Sequence, residues 1–169
     1  MSDDTASRKQ FSQLLDRAVR ILAMRDHSEA EFRRKLVLSI QRAAMYRQEE
    51  RPEIPEDEIE KVVAWCYQHG WLDDAHFAER YTASRSRKGY GPQRIRMELG
   101  QKGIAREDID TVLSMADIDW GEAAFNVAER KFGLPLPTEW KEKNRVQRYL
   151  LSKGFFMEDI QGIFRNFDD

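Results

Sequence analysis

Apolar side chains recur along this chain at intervals of three and four residues and nowhere alternate with period two, a spacing that predicts helices and no strands. Leu15, Ala18, Val19 and Leu22 make a first stripe, Phe32, Leu36 and Ile40 a second, and Ile59, Val62, Val63 and Cys66 a third. Ahead of the second stripe, Ser28 stands three residues before Glu31, the spacing of a capping box, in which each side chain satisfies a backbone N–H at the helix start. From 48 to 58, Pro52, Pro55 and a run of carboxylates predict an exposed acidic loop. Gly70 is placed to end the third helix as a C-cap. Residues 1–10 are polar and are expected to be frayed and disordered.

The same plan follows twice more. Asp73 and Asp74 suit a helix N-terminus, and that helix runs through Phe77 and Tyr81 to Arg87. Gly89, Tyr90 and Gly91 break it, Pro92 opens a second helix through Ile95 and Leu99 to Gly103, and a third covers Arg106 to Met115. Gly100 weakens the last turn of that second helix by about 1 kcal/mol relative to Ala. Further on, Trp120, Ala124, Val127 and Ala128 mark a helix ended by Gly133, Pro135 and Pro137. Thr138 is placed to cap the next, which passes Trp140, Val146 and Leu150 to Gly154, and Ile160, Ile163, Phe164 and Phe167 form the last stripe.

The periodicity is also literal: LGQKGIAREDI, Leu99 to Ile109, returns as LLSKGFFMEDI, Leu150 to Ile160. A looser match lays Phe32 over Ile95 and Leu36 over Leu99. A helix closed by Lys-Gly, an apolar residue and a new helix opened by Glu-Asp is one supersecondary unit, so its recurrence implies a modular array. The expected fold is all-α: three tandem three-helix repeats over 11–72, 73–117 and 118–169, forming an elongated, curved array.

Composition allows this. The chain has 169 residues, 41% of them hydrophobic, and nine Phe and four Trp supply core material. No apolar run approaches the roughly 20 residues that cross a bilayer, MSDDTASRKQ has no apolar core of a signal peptide, and a single Cys66 rules out an intrachain disulfide, so a reducing cytoplasm is expected. The net charge of −2 hides a sharp asymmetry. Between Arg80 and Lys102, Arg80, Arg85, Arg87, Lys88, Arg94, Arg96 and Lys102 face one acid, Glu98, while acidic runs flank that segment at 49–60 and 107–122. Positive charge collected in the middle repeat can meet phosphates or an acidic protein groove.

Residue types that suggest chemistry have structural readings here. Trp65, Trp71, Trp120 and Trp140 suit packing better than base stacking. The pairs Asp73-Asp74 and Glu158-Asp159 sit at helix starts, where capping explains them better than paired catalysis. Cys66, His69 and His76 offer three candidate metal ligands with no fourth at a zinc spacing. Gly89-Tyr90-Gly91 follows no strand, and no phosphate-binding glycine loop is present. No metal, no cofactor and no enzymatic activity are expected.

The run SRSRKGYGPQRIRMELGQKGI, Ser84 to Ile104, resembles the signature of the RecX family, bacterial regulators of the RecA recombinase. Arg25-Asp26-His27-Ser28 with Arg33-Arg34-Lys35-Leu36, Gly70-Trp71-Leu72-Asp73-Asp74 with Phe77, and Met157-Glu158-Asp159-Ile160 extend the likeness, which covers Leu14 to Phe167 and is strongest toward gammaproteobacterial members. The resemblance implies a cytoplasmic, monomeric protein that lodges in the groove of the RecA filament on single-stranded DNA. There it would inhibit ATP hydrolysis, strand exchange and coprotease activity, and so modulate recombination, DNA repair and the SOS response.

Charge and aromatic together nominate Arg85, Arg87, Lys88, Tyr90, Arg94, Arg96 and Lys102 as the filament-facing residues, with Arg33, Arg34 and Lys35 as a second surface. Four or five cations on the phosphates of one strand would give a log–log salt slope of about −3 to −4, weak and non-specific DNA contact, whereas contacts spread over several modules and more than one protomer would add through effective concentration, so filament selectivity can arise without a tight single site. The rival expectation is an autonomous nucleic-acid-binding protein that uses the middle repeat like a helix-turn-helix. A scaffold for some other acidic protein is the third.

Overall fold

In the computed structural model, which describes residues 2–166 with side chains from 4 to 165, the predicted stripes become nine α-helices with no strand among the described residues. They are α1 (Ser2–Met24), α2 (Glu29–Tyr46), α3 (Glu56–Gln68), α4 (Asp74–Arg87), α5 (Pro92–Gln101), α6 (Arg106–Met115), α7 (Trp120–Phe132), α8 (Trp140–Ser152) and α9 (Met157–Asn166). Two compact units contain them: one ends at Phe77 and takes in Lys102–Ile104, the other comprises Ala78–Gln101 and the chain from Ala105 onward. The second unit thus holds most of both later repeats.

In the first unit α1 packs on both α2 and α3. Leu14, Ala18 and Leu22, one helical turn apart, meet Phe32, Leu36, Ile59, Val62, Val63 and Cys66 in a core from which water is excluded. Burying a side chain such as Phe32 or Leu36 contributes about 1.5–3 kcal/mol. Ser28 and Glu31 form the expected capping box, and Gly70 takes φ +76° just beyond α3, a conformation that costs Gly nothing. Burial pushes the Cys66 thiol up to about 11, so it is an inert core residue.

Two expectations at this end are corrected. Residues 2–10 are helical and belong to α1. Ser7 Oγ donates to Glu58 Oε1 at 2.9 Å, which ties the polar start of the helix to α3. The acidic stretch is also shorter as a loop than 48–58, because α3 begins at Glu56: Pro55 holds the N-cap position, and Glu56, Asp57 and Glu58 occupy a first turn whose exposed N–H groups favour negative charge.

The second unit has its core in Ala124, Val127, Ala128, Val146, Leu150, Phe155, Ile160, Ile163 and Phe164. Ile95, Leu99, Ile109 and Val112 are buried where α5 and α6 pack together. Phe167, expected in the last stripe, lies outside the described residues. Thr138 does not cap α8: the helix starts at Trp140 behind Glu139, which leaves Thr138 one position too early to reach the first free N–H groups. Among the tryptophans, Trp65 and Trp120 pack against the two cores, whereas Trp140 is 76% exposed and is no core residue.

The Lys-Gly turns that mark the repeat have one structural job. Ser28 Oγ donates to the Lys102 carbonyl at 2.7 Å, and a Cβ on Gly103 would fall 2.4 Å from that of Ala30. In the second unit the Gly91 and Gln93 N–H groups donate to the Lys153 and Gly154 carbonyls at 2.8 and 2.9 Å, and a Cβ on Gly154 would fall 2.5 Å from that of Arg94. Each turn sits on the first turn of a second helix, so close that only glycine fits.

Candidate partner-binding surface

The glycine-flanked turn between α4 and α5 carries Tyr90, and three cations gather on its ring. Arg85 from the last turn of α4 stacks 3.8 Å from the ring centroid, with Arg94 of α5 at 4.8 Å and Lys153, from the turn after α8, at 4.7 Å. The negative face of an aromatic ring favours such company. Glu98 balances the cluster. It accepts Arg85 Nη2 at 2.5 Å and Arg85 Nε at 2.9 Å, takes the Tyr81 hydroxyl at 3.1 Å, and lies 4.0 Å from Arg94 Nε. Burial opposes the charge on Arg85, but Glu98 overcomes it and raises the guanidinium above its ordinary value.

The structure therefore brings Arg85, Tyr90 and Arg94 together, and it turns Arg85 inward. Arg87 and Lys88, by contrast, are exposed at the end of α4 and have no charged partner among the described residues. Arg96 pairs with Asp110 across α5 and α6. In the first unit Lys102 lies 3.4 Å from Glu31, Arg33 is held above its ordinary value by Glu60 and then Glu29, and Lys35 contacts His27, which leaves Arg34 as the open cation of that group.

Sequence reading missed Lys153, Lys131 and Tyr149. Lys153 sits 5.6 Å and Lys131 5.4 Å from the Tyr149 ring, so the cationic–aromatic surface extends from Tyr90 onto the last repeat. Its signal was present: Lys153 is the repeat counterpart of Lys102.

His27 sits under the capping box, 4% exposed. Its Nδ1 lies 2.8 Å from the Arg25 carbonyl and its Nε2 2.9 Å from Lys35 Nζ. An ammonium can only donate, so Nε2 accepts, Nδ1 carries the proton and the ring is neutral. Burial lowers its pKa from 6.5, and the charges of Arg25 and Lys35 add to this against the carbonyl contact and Glu31. Below pH 6.5 the unfolded chain takes up a proton that the folded chain refuses. Stability of the first unit is thus expected to be lost as pH falls from 6.5 through the depressed folded value, by at most about 1.4 kcal/mol per pH unit. Denaturant unfolding followed by tryptophan fluorescence should show this slope in the native chain and not in His27→Gln. Glu31, held low by Ser28, Arg25 and Lys102 against its burial, loses its contribution only in the more acid carboxylate range.

Among the described residues no three His, Cys, Asp or Glu side chains converge as a metal site, and no helix is long and apolar enough to cross a membrane. His69, one of the three ligand candidates, stacks on Trp65 at 3.9 Å instead.

The family description of the second three-helix domain of RecX matches residues 73–113, and that of the third matches 117–164. Regulatory protein RecX of Cronobacter sakazakii is 56% identical over 168 residues, 99% of this chain and 100% of the relative. Regulatory protein RecX of Escherichia coli is 54% identical over 169 residues, the whole of both chains. Of solved structures, RecX from Lactobacillus salivarius superposes with a TM-score of 0.76 at 21% identity over 99% of each chain. A second, described as regulatory protein RecX, gives 0.69 at 24% identity over 92% of this chain and 72% of its own.

Proposed function

Because the chain belongs to the RecX family, whose members it matches end to end as regulatory proteins, we propose that it binds the RecA filament on single-stranded DNA and restrains the filament's ATP hydrolysis, strand exchange and coprotease activity. It acts by occupying a surface, as a monomer in the cytoplasm. The observation that supports this reading most directly is the open pair Arg87 and Lys88 beside the braced Tyr90 turn. Arg85 and Glu98 hold the turn rigid, so the two free cations are presented without the ordering cost of a mobile loop.

Arg94, Lys153 and Lys131 continue the positive surface, while Arg96, already paired with Asp110, contributes mainly to its frame; in the first unit Lys102 is likewise paired, with Glu31. Arg34 is the residue of the second group best placed to add a contact. The double variant Arg87→Ala, Lys88→Ala should require roughly tenfold more protein for half-inhibition of RecA-dependent ATP hydrolysis, since each lost contact to a negative partner costs a fraction of the binding free energy. Its helical circular dichroism should match the native chain. Unchanged inhibition would remove these residues from the interface, and tight, sequence-selective binding to DNA without RecA would favour an autonomous DNA-binding protein instead.

A further inference from the structure

The first unit has a further charged surface, of which the reading above uses only Lys35. Where α1 and α2 lie side by side, away from α3, they leave an open groove whose wider part has a volume of about 620 Å³. Ile21, Leu38 and Ala43 form its apolar floor, and Leu38 is 46% exposed although it sits mid-helix. Arg17, Arg20, Lys35, Arg42 and Arg47 stand around this floor.

Arg47 pairs with Glu49 at 3.0 Å, and the other four charges are uncompensated. Arg17 donates to the Ser39 hydroxyl at 2.8 Å and its carbonyl at 3.2 Å, Arg20 to the Asp16 carbonyl at 3.2 Å, and Lys35 contacts a neutral imidazole, so three of the five cations touch only neutral groups. Arg42 is exposed with no ion pair among the described residues. Asp16 is the one carboxylate on the wall. At the outer ends of the same helices Met24 is 83% and Tyr46 92% exposed.

An apolar floor between rows of cations is complementary to one kind of occupant. Phosphates would satisfy the guanidinium groups and leave Ile21 and Leu38 facing sugar and water, and no aromatic side chain lines the groove to stack a base. A helix with a leucine-rich face bordered by glutamate or aspartate satisfies both at once, in the helix-in-groove manner. We propose that the α1–α2 groove is a docking site for an acidic amphipathic peptide segment of a partner protein.

Binding is measured with the purified full chain and no recombinase, so failure here and failure of the filament reading are separate results. Three fluorescein-labelled probes are compared by anisotropy at about 50 mM salt: a peptide of repeated Glu-Leu-Glu-Glu-Leu-Leu-Glu heptads, the same peptide with every Leu replaced by Ser, and oligo-dT of equal length. The first should bind at least about tenfold more tightly than the other two. R20E/R42E should lose about tenfold or more of that affinity by reversing charge. Leu38→Ser should lose several-fold, and both variants should keep native circular dichroism and melting temperature. The proposal is overturned if the leucine peptide does not bind, if the serine peptide or oligo-dT binds as well, or if folded R20E/R42E binds like the native chain.

Discussion

Gly91→Ala is expected to destabilise the second unit by about 3–5 kcal/mol, the sum of overpacking and two hydrogen bonds pulled apart. The added Cβ would lie 2.4 Å from the Gly154 carbonyl carbon and 2.5 Å from both the Gly154 oxygen and the Phe155 nitrogen. All three are backbone atoms, so no side chain can rotate away. Relief requires moving the turn after α8 off the start of α5, which lengthens the bonds from Gly91 N–H to Lys153 O and from Gln93 N–H to Gly154 O. A melting temperature drop of more than about 10 °C follows for a unit of this size. Gly100→Ala is the internal control with the opposite sign: it lies exposed within α5, nothing stands within 4 Å of its added Cβ, and the change should stabilise by about 0.5–1 kcal/mol. Thermal melts of the two variants in which Gly91→Ala shifted by less than a few degrees would show that the close joint is absent in solution.

That joint was half legible in the sequence. The Lys-Gly-apolar-Glu-Asp recurrence identified Gly103 and Gly154 as equivalent turn residues, because a turn and a helix start are local events written in adjacent residues. What those glycines touch was not legible, since Ala30 and Arg94 lie far from them in the chain and no local signal specifies a contact between repeats. The core stripes were legible for a related reason: Phe32 with Leu36, or Val146 with Leu150, announce a buried face through spacing alone. The start of α1 was not, because no apolar residue precedes Phe11 except Met1 and Ala6, so periodicity had nothing to register. Trp140 misled in the other direction, since size favours burial on average while the helix face on which a residue falls decides the case.

Charges were the least legible of all. Arg85 and Arg87 are two positions apart and indistinguishable by type, yet one is locked between Glu98 and Tyr90 and the other is open. Helical geometry explains the outcome: residues two apart project to opposite sides of a helix, so α4 can give one arginine to its neighbours and the other to solvent. Composition could count the positive charge of this segment but could not separate the part that builds the surface from the part that is available on it.

Glu98 is where that separation can be tested. Glu98→Gln keeps the size of the side chain and an oxygen for the Tyr81 hydroxyl, but removes the negative charge shared by Arg85 and Arg94, and leaves them with Lys153 around one ring. Glu98 is 12% and Arg85 21% exposed at the side chain. A fully buried pair broken on one side costs about 3–5 kcal/mol, and partial solvent access reduces that here to about 2 kcal/mol. Repulsion among the remaining cations is screened by salt, so the loss should shrink between about 0.05 and 1 M sodium chloride. Adding Arg85→Gln to Glu98→Gln should restore part of the stability, because it removes the charge left unpaired, and a double-mutant cycle reads that coupling directly. Urea unfolding of the four proteins at both salt concentrations decides the matter. If Glu98→Gln is as stable as the native chain at low salt, or the cycle shows no coupling between the two positions, the Tyr90 turn is not braced by this carboxylate, and the rigid presentation of Arg87 and Lys88 must be abandoned with it.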